Sequence, residues 1–201
     1  MPAHFGYPCP DCRSTNNLHE PSCRFTGRPW HEIEKAYVDV LSALSCEPME
    51  EDDLREALRA GEETEWSPLH QGALRQLDED HRVESQESGV LVVVPPEERK
   101  ERLQKPTYEP LKTIYEKGSV HGAHDNSVFA LVAFYEMVGF TWPETKQLVV
   151  EWLHDSGTWA RGGFEEGSPE ELLENKRHVH EEGYGWKEKA KAAKAVIDRS
   201  L

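Results

Sequence analysis

Cys9-Pro10-Asp11-Cys12-Arg13-Ser14-Thr15-Asn16-Asn17-Leu18-His19-Glu20-Pro21-Ser22-Cys23 carries the most specific chemistry in the chain and decides how the rest is read. Two residues separate Cys9 from Cys12, the spacing that lets two thiolates on one tight turn reach the same tetrahedral ion. His19 and Cys23 offer a second pair, with three residues between them. Three sulfurs and one imidazole suit zinc best, and four ligands packed so closely in sequence describe a closed, structural site for one Zn2+ rather than an open catalytic one. The competing reading is a set of scattered reduced cysteines. Arg13, Arg24 and Arg28 flank the ligands and are the first candidates for contact with phosphate.

Outward from this finger, 201 residues suffice for one medium domain or two small ones. Of the four cysteines the metal uses three, so there is no disulfide framework, and Cys46 is expected as a small buried thiol in a helix. No basic region followed by an apolar run opens the sequence, and no apolar stretch is long enough to span a bilayer. A cytoplasmic protein without membrane association is expected.

The net charge of −15 is spread unevenly. The finger, the region 99–120 and the last eighteen residues escape the acidic bias, so any phosphate contact belongs there; a solvated linker and a solvated terminal helix explain the last two equally well.

After the finger, Trp30, Ile33, Tyr37, Val40, Leu41 and Leu44 recur at helical spacing behind Pro29. A short acidic helix is expected from about Glu50 to Ala60, with Leu54, Ala57 and Leu58 inward and Gly61 as its stop. Ser67-Pro68 opens a third helix through Leu69, Ala73, Leu74 and Leu77. Period two then takes over: Val83, a turn over Gln86 to Gly89, and the β-branched run Val90 to Val94 predict a hairpin. On the third helix His70, Gln71, Arg75 and Gln76 are expected to be exposed, with Gln71, Arg75 and Gln76 placed to face bases. Asp78, Glu79 and Asp80 crowd its end and speak equally for docking on a protein.

A charged linker over 97–110 leads to a second unit. There Val128 to Val138 is apolar almost all round and must be a central helix, with Asp125 placed to cap it. Thr141 to Glu144 is a capping box for the next helix, and Ser168 caps another. Between them lies a glycine-rich loop. Its Trp159 could stack on a base and its Arg161 could pair with phosphate; alternatively Trp159 and Phe164 pin the loop to the core. His121 and His124 lie in a loop with no third ligand nearby, and His178 and His180 point to different helix faces, so neither pair reads as a metal site. No phosphate cradle, nucleophile elbow or two-metal aspartate set is present, so no enzymatic role is expected.

Three short helices followed by a hairpin resemble a winged helix, a fold of DNA-binding regulators and of protein-docking modules. The stretch from Leu111 to Ile197 resembles the helical domain that follows the catalytic domain in plasmid and viral primase-polymerases, which implies a DNA-replication setting. The matching features are the loop Gly122 to Asn126, Gly139-Phe140-Thr141, Trp152-Leu153 and the acidic helix from Ser168. With the finger, the segments Gly27 to Glu34 and Gly157 to Phe164 are similar to a zinc-finger family of halophilic archaea, whose acidic proteins live in molar salt. The finger also looks like a retroviral-type zinc knuckle, with gaps of six and three residues where the knuckle has four and four; that likeness implies single-stranded nucleic acid.

The expected protein is therefore mainly α: a zinc finger over 1–29, a winged-helix unit with a small β-hairpin over 30–96, the linker, and a helical domain over 111–201. Its expected role is a non-enzymatic accessory or regulatory factor that binds nucleic acid, DNA or RNA. The rival is an adaptor docking on a protein partner in replication, transcription or ribosomal machinery.

Overall fold

Proline at position 29 sets the entry of α1 (Trp30–Cys46), and Trp30, Ile33, Ala36, Tyr37, Val40 and Leu44 form its buried stripe. The computed structural model describes residues 7–14, 18–60 and 65–201. Cys46 falls off the stripe, being two residues and so more than half a turn past Leu44, and is exposed rather than buried as expected.

Pro48 breaks α1, and the next two residues do what the periodicity did not foresee. They form a short strand, β1 (Met49–Glu50), ahead of α2 (Glu51–Ala60). Only Leu54 of α2 is fully buried; Leu58 is half-buried and Ala57 faces solvent. Gly61, the expected stop, lies outside the described residues. Helix α3 (Pro68–Glu79) starts at Ser67 with a capping box in which His70 stands where Glu is usual. The hairpin is as expected, β2 (Val83–Ser85) against β3 (Val90–Val93), with Val83 opposite Val93 and the turn closed by Gly89 at φ 84°. β1 pairs with the other edge of β3, Met49 opposite Leu91, so the described residues contain one three-stranded antiparallel sheet of order β1-β3-β2.

The chain divides into two compact units, Met1–Arg99 and Lys100–Leu201. Residues expected as a charged linker include α4 (Pro96–Leu103). Within the first unit Arg99 is buried and donates to the Asp80 carbonyl at 3.2 Å; within the second Leu103 is buried in the core.

The second unit is organised by α6 (His124–Val138), whose residues Ala130 to Tyr135 are all inaccessible to solvent. Such a helix needs cover on every side. It receives it from α5 (Leu111–Lys117), α7 (Trp142–Asp155), α8 (Pro169–Glu182) and α9 (Lys187–Ser200). The caps at Thr141 and Ser168 form as predicted. Asp125 does not cap α6: Ala123 holds that position, and Asp125 pairs with Lys176 of α8. The polar ends of buried aromatics find backbone partners, Tyr135 to Gln104 O at 2.8 Å and Trp152 to Tyr115 O at 3.1 Å. Among the described residues no helix is long and apolar enough to cross a membrane.

Leu131 sits at the centre of this core with no exposure. Leu131→Ala is expected to cost about 2–5 kcal/mol, read from the urea unfolding of the second unit; a loss well below 1 kcal/mol would show that α6 is not its centre.

Candidate metal centre

The four residues singled out in the finger converge. Their ligand atoms, three Sγ and one imidazole nitrogen, lie within 4.8 Å of one another. Cys9 Sγ is 3.6 Å from Cys23 Sγ, and His19 Nδ1 is 3.4 Å from Cys23 Sγ and 3.6 Å from Cys12 Sγ. A tetrahedral ion with bonds of about 2.3 Å to sulfur and 2.0–2.1 Å to nitrogen holds its donors about 3.5–3.8 Å apart. The cluster fits one metal ion of that kind. It is the one grouping of three or more metal-binding side chains among the described residues.

Local geometry explains the convergence. Arg13 N–H donates to Cys9 O at 2.8 Å, and the left-handed φ of 58° at Arg13 turns the chain back so that Ser14 O accepts from Cys9 N–H at 2.8 Å. Backbone N–H groups of Asp11 and Cys12 point at the Cys9 sulfur, and Phe25 N–H donates to Cys23 Sγ at 3.3 Å. Burial pushes the Cys9 thiol up to about 12 and raises Cys23 as well. Burial acts the same way on Cys12, but N–H groups of Glu20 and Ser14 outweigh it and leave that thiol below its usual value. Thiols this buried ionise when a cation takes the charge. His19 turns Nδ1 toward the sulfurs and would ligate through it; its Nε2 is buried with no hydrogen-bond partner among the described residues.

The metal turn is no pendant bead. Cys9, Cys12, Cys23 and Phe25 share one core with α1 and α3. Tyr37 of α1 donates to Pro8 O at 2.6 Å. On α3 the stripe Gly72, Arg75 and Glu79 faces the turn: a Cβ on Gly72 would come 2.9 Å from that of Pro10, Arg75 donates to Pro10 O at 3.3 Å, and Glu79 pairs with Arg13.

That placement revises the expected base readers. Arg75 is engaged by the turn, and Gln71 is held between Arg55 and Glu51. Gln76 is buried, not exposed, and bonds the Asp80 carboxyl, whose pKa burial raises. His70 is also buried, accepting from Ser67 N at 3.2 Å through Nδ1 and donating from Nε2 to Asp39 at 3.2 Å. His70 faces Asp39 of α1 and Gln76 turns to Asp80 just past the end of α3; a helical repeat counted from the leucines alone misplaces both.

Arg24 and Arg28, by contrast, line one groove of about 590 Å³ with Lys35 of α1. Phe25, Ala36 and Leu69 make its floor. The three cationic side chains keep 60, 60 and 51% exposure while paired with Asp11, Glu32 and Asp39 respectively. Lys35 was not singled out in the sequence, because a lysine one turn before an aspartate on a helix reads as a solvated pair.

In the second unit the glycine-rich loop folds on itself. Trp159 stacks on Phe164 at 4.6 Å, and Phe164 on His124 at 4.4 Å. Arg161 donates to Ser119 O at 2.9 Å and to Lys117 O at 3.2 Å. Gly118 faces that guanidinium at φ 71°, so close that a Cβ would stand 2.5 Å from it. His124 donates to Gly162 O at 3.0 Å, and burial lowers its pKa. This arrangement pins the loop.

The family described as "Family of unknown function (DUF7474)" matches residues 3–200. The chain belongs to that family. No curated protein and no solved structure matches the chain. Nearly the whole chain, metal turn and both units together, thus falls within one DUF7474 match.

Because three ligands are buried in the first core and none in the second, chelation is expected to erase hydrogen-exchange protection of α1 and α3 and leave α6 protected. Protection of α1 and α3 that survives chelation would show the core standing without metal. Gly72→Ala, with the metal still bound, is expected to cost about 1–3 kcal/mol in the first unit by overpacking against Pro10.

Proposed function

We propose that this is a non-enzymatic nucleic-acid-binding accessory factor whose first unit is a winged helix stabilised by one structural zinc. Zinc is favoured by the ligand set, three thiolates and one imidazole with no place kept for water. The winged-helix reading is supported by the element order α1-β1-α2-α3-β2-β3 and by the sheet order β1-β3-β2, in which the strand between the first two helices joins the hairpin.

One observation carries the nucleic-acid reading: Arg24 and Arg28, two of the three finger arginines, share with Lys35 a groove over Phe25, Ala36 and Leu69 whose lining also holds Glu32, Asp39 and Glu65. Their exposed ion pairs are weak and exchangeable, so phosphate oxygens can replace the carboxylates. Contact then runs through the finger and α1 instead of the outward stripe of α3. The sequence resemblance of the stretch Leu111 to Ile197 to the helical domain of primase-polymerases favours a DNA-replication setting for this factor, and a cytoplasmic one goes with that reading. In the molar salt of a halophile, with a screening length of about 3 Å, the net charge of −15 would repel nucleic acid little.

A second reading is supported by α3 itself. Its stripe is occupied by the cysteine turn, with Glu79 paired to Arg13, and its end carries Asp78 in solvent, which suits docking on a protein.

Replacing Arg24 and Arg28 together by Glu separates the two. Under the first reading the variant, with zinc retained, loses at least about tenfold in affinity for a single-stranded oligonucleotide, and its log-log salt slope falls by about 1.4. Unchanged binding and slope remove the nucleic-acid reading. Partner capture that survives the double charge reversal supports the adaptor.

A further inference from the structure

Asp11 occupies the middle of the metal turn, between two ligands, and is itself no ligand. Its Oδ1 accepts from Arg24 Nε at 2.9 Å and its Oδ2 from the Arg24 backbone N–H at 2.8 Å. One carboxylate therefore fixes both the main chain and the guanidinium of a groove cation. The rest of that wall grows from Cys23 by consecutive turns. Thr26 N–H and its hydroxyl donate to Cys23 O at 3.1 and 2.8 Å, Phe25 N–H points at the Cys23 sulfur, and Arg28 N–H reaches Phe25 O at 3.0 Å. The opposite wall is Lys35, paired with Asp39 one turn along α1.

We infer that metal loading and nucleic-acid binding are coupled with positive sign, and that Asp11 is the positioning residue that couples them. This rests on the groove reading given above. With metal in place, the Cys9–Cys12 turn and Cys23 are drawn together, and Asp11 holds Arg24 over the groove floor. Without it, the Cys23 wall loses its anchor, and α1, which carries Lys35, loses the core it shares with the turn. Linkage is reciprocal, so whatever the metal does for the anion, the anion does for the metal. A polyanion on Arg24 and Arg28 holds the Cys23 wall closed and slows metal loss.

The sign of the effect separates positioning from simple charge. Zn2+ with three thiolates and a neutral imidazole has a net charge of −1. Its field alone would weaken anion binding on loading, so that an anion would speed metal loss. Positioning by Asp11 predicts the reverse.

The test uses the full zinc-loaded chain. Zinc transfer to an excess of a colorimetric chelator is followed with and without a saturating 20-nucleotide single-stranded oligothymidine. The expected result is release at least about fivefold slower with the oligonucleotide, the low end of ordinary coupling between sites. Asp11→Asn keeps the four ligands and loses the carboxylate that accepts from Arg24 twice; in it the slowing is expected to vanish while one zinc per chain remains. Slowing that persists in Asp11→Asn overturns the role of Asp11. Should that variant fail to hold zinc, hydrogen exchange of the natural chain decides. The Arg24 to Arg28 amides must gain protection from the oligonucleotide in the zinc-loaded form and none in the chelated form. Release that is unchanged or faster, with the oligonucleotide bound, overturns the coupling and leaves the nucleic-acid reading standing. An oligonucleotide that does not bind the loaded chain removes both.

Discussion

Three cysteine sulfurs and one imidazole, brought within 4.8 Å inside the core shared by α1 and α3, are the constraint on which the first unit depends. Cys9 is wholly inaccessible and Cys12 and Cys23 nearly so. Such a cluster is costly as bare thiols and favourable as thiolates around a cation, so a metal ion held there would be tied to the folding of this unit. What surrounds the ligands follows from that tie. Gly72 leaves room for Pro10, Tyr37 satisfies the Pro8 carbonyl, and Arg13 closes on Glu79.

The second unit solves the same problem of stability without metal. A helix apolar on every side is surrounded by four others, and the polar ends of Tyr135 and Trp152 are matched to backbone carbonyls. The Ser127 hydroxyl donates to that of Ser119, the Ser119 backbone N–H donates to the Thr158 hydroxyl, and that hydroxyl bonds Ser156; with Arg161 these bonds tie the segment after α5 to the segment after α7. Arg161 and Trp159 are therefore occupied in holding a loop, which moves the search for a binding surface to the first unit.

The metal cluster was legible because ligand chemistry leaves a mark in spacing: Cys-x-x-Cys followed by a His and a Cys is nearly self-sufficient. So were α1, α6 and the caps at Ser67, Thr141 and Ser168, where a local pattern and a local structure have the same cause. The strand at Met49–Glu50 was not legible, since two residues cannot show a period and only β3 makes them a strand. Asp125 was misplaced as a cap because Lys176, fifty-one residues on, competes for it.

Taken by itself, the sequence determined a mainly helical protein with a metal-ligating turn and a second core around residues 128–138. Those features arise from neighbours three to ten residues apart. Only the tertiary structure decided that the turn shares the core of the first unit, that Gln76 and His70 point inward, and that Arg24, Arg28 and Lys35 meet over one groove. Those facts depend on which helix face packs against which, and that is set by contacts between residues as far apart as Arg13 and Glu79 or Pro10 and Gly72.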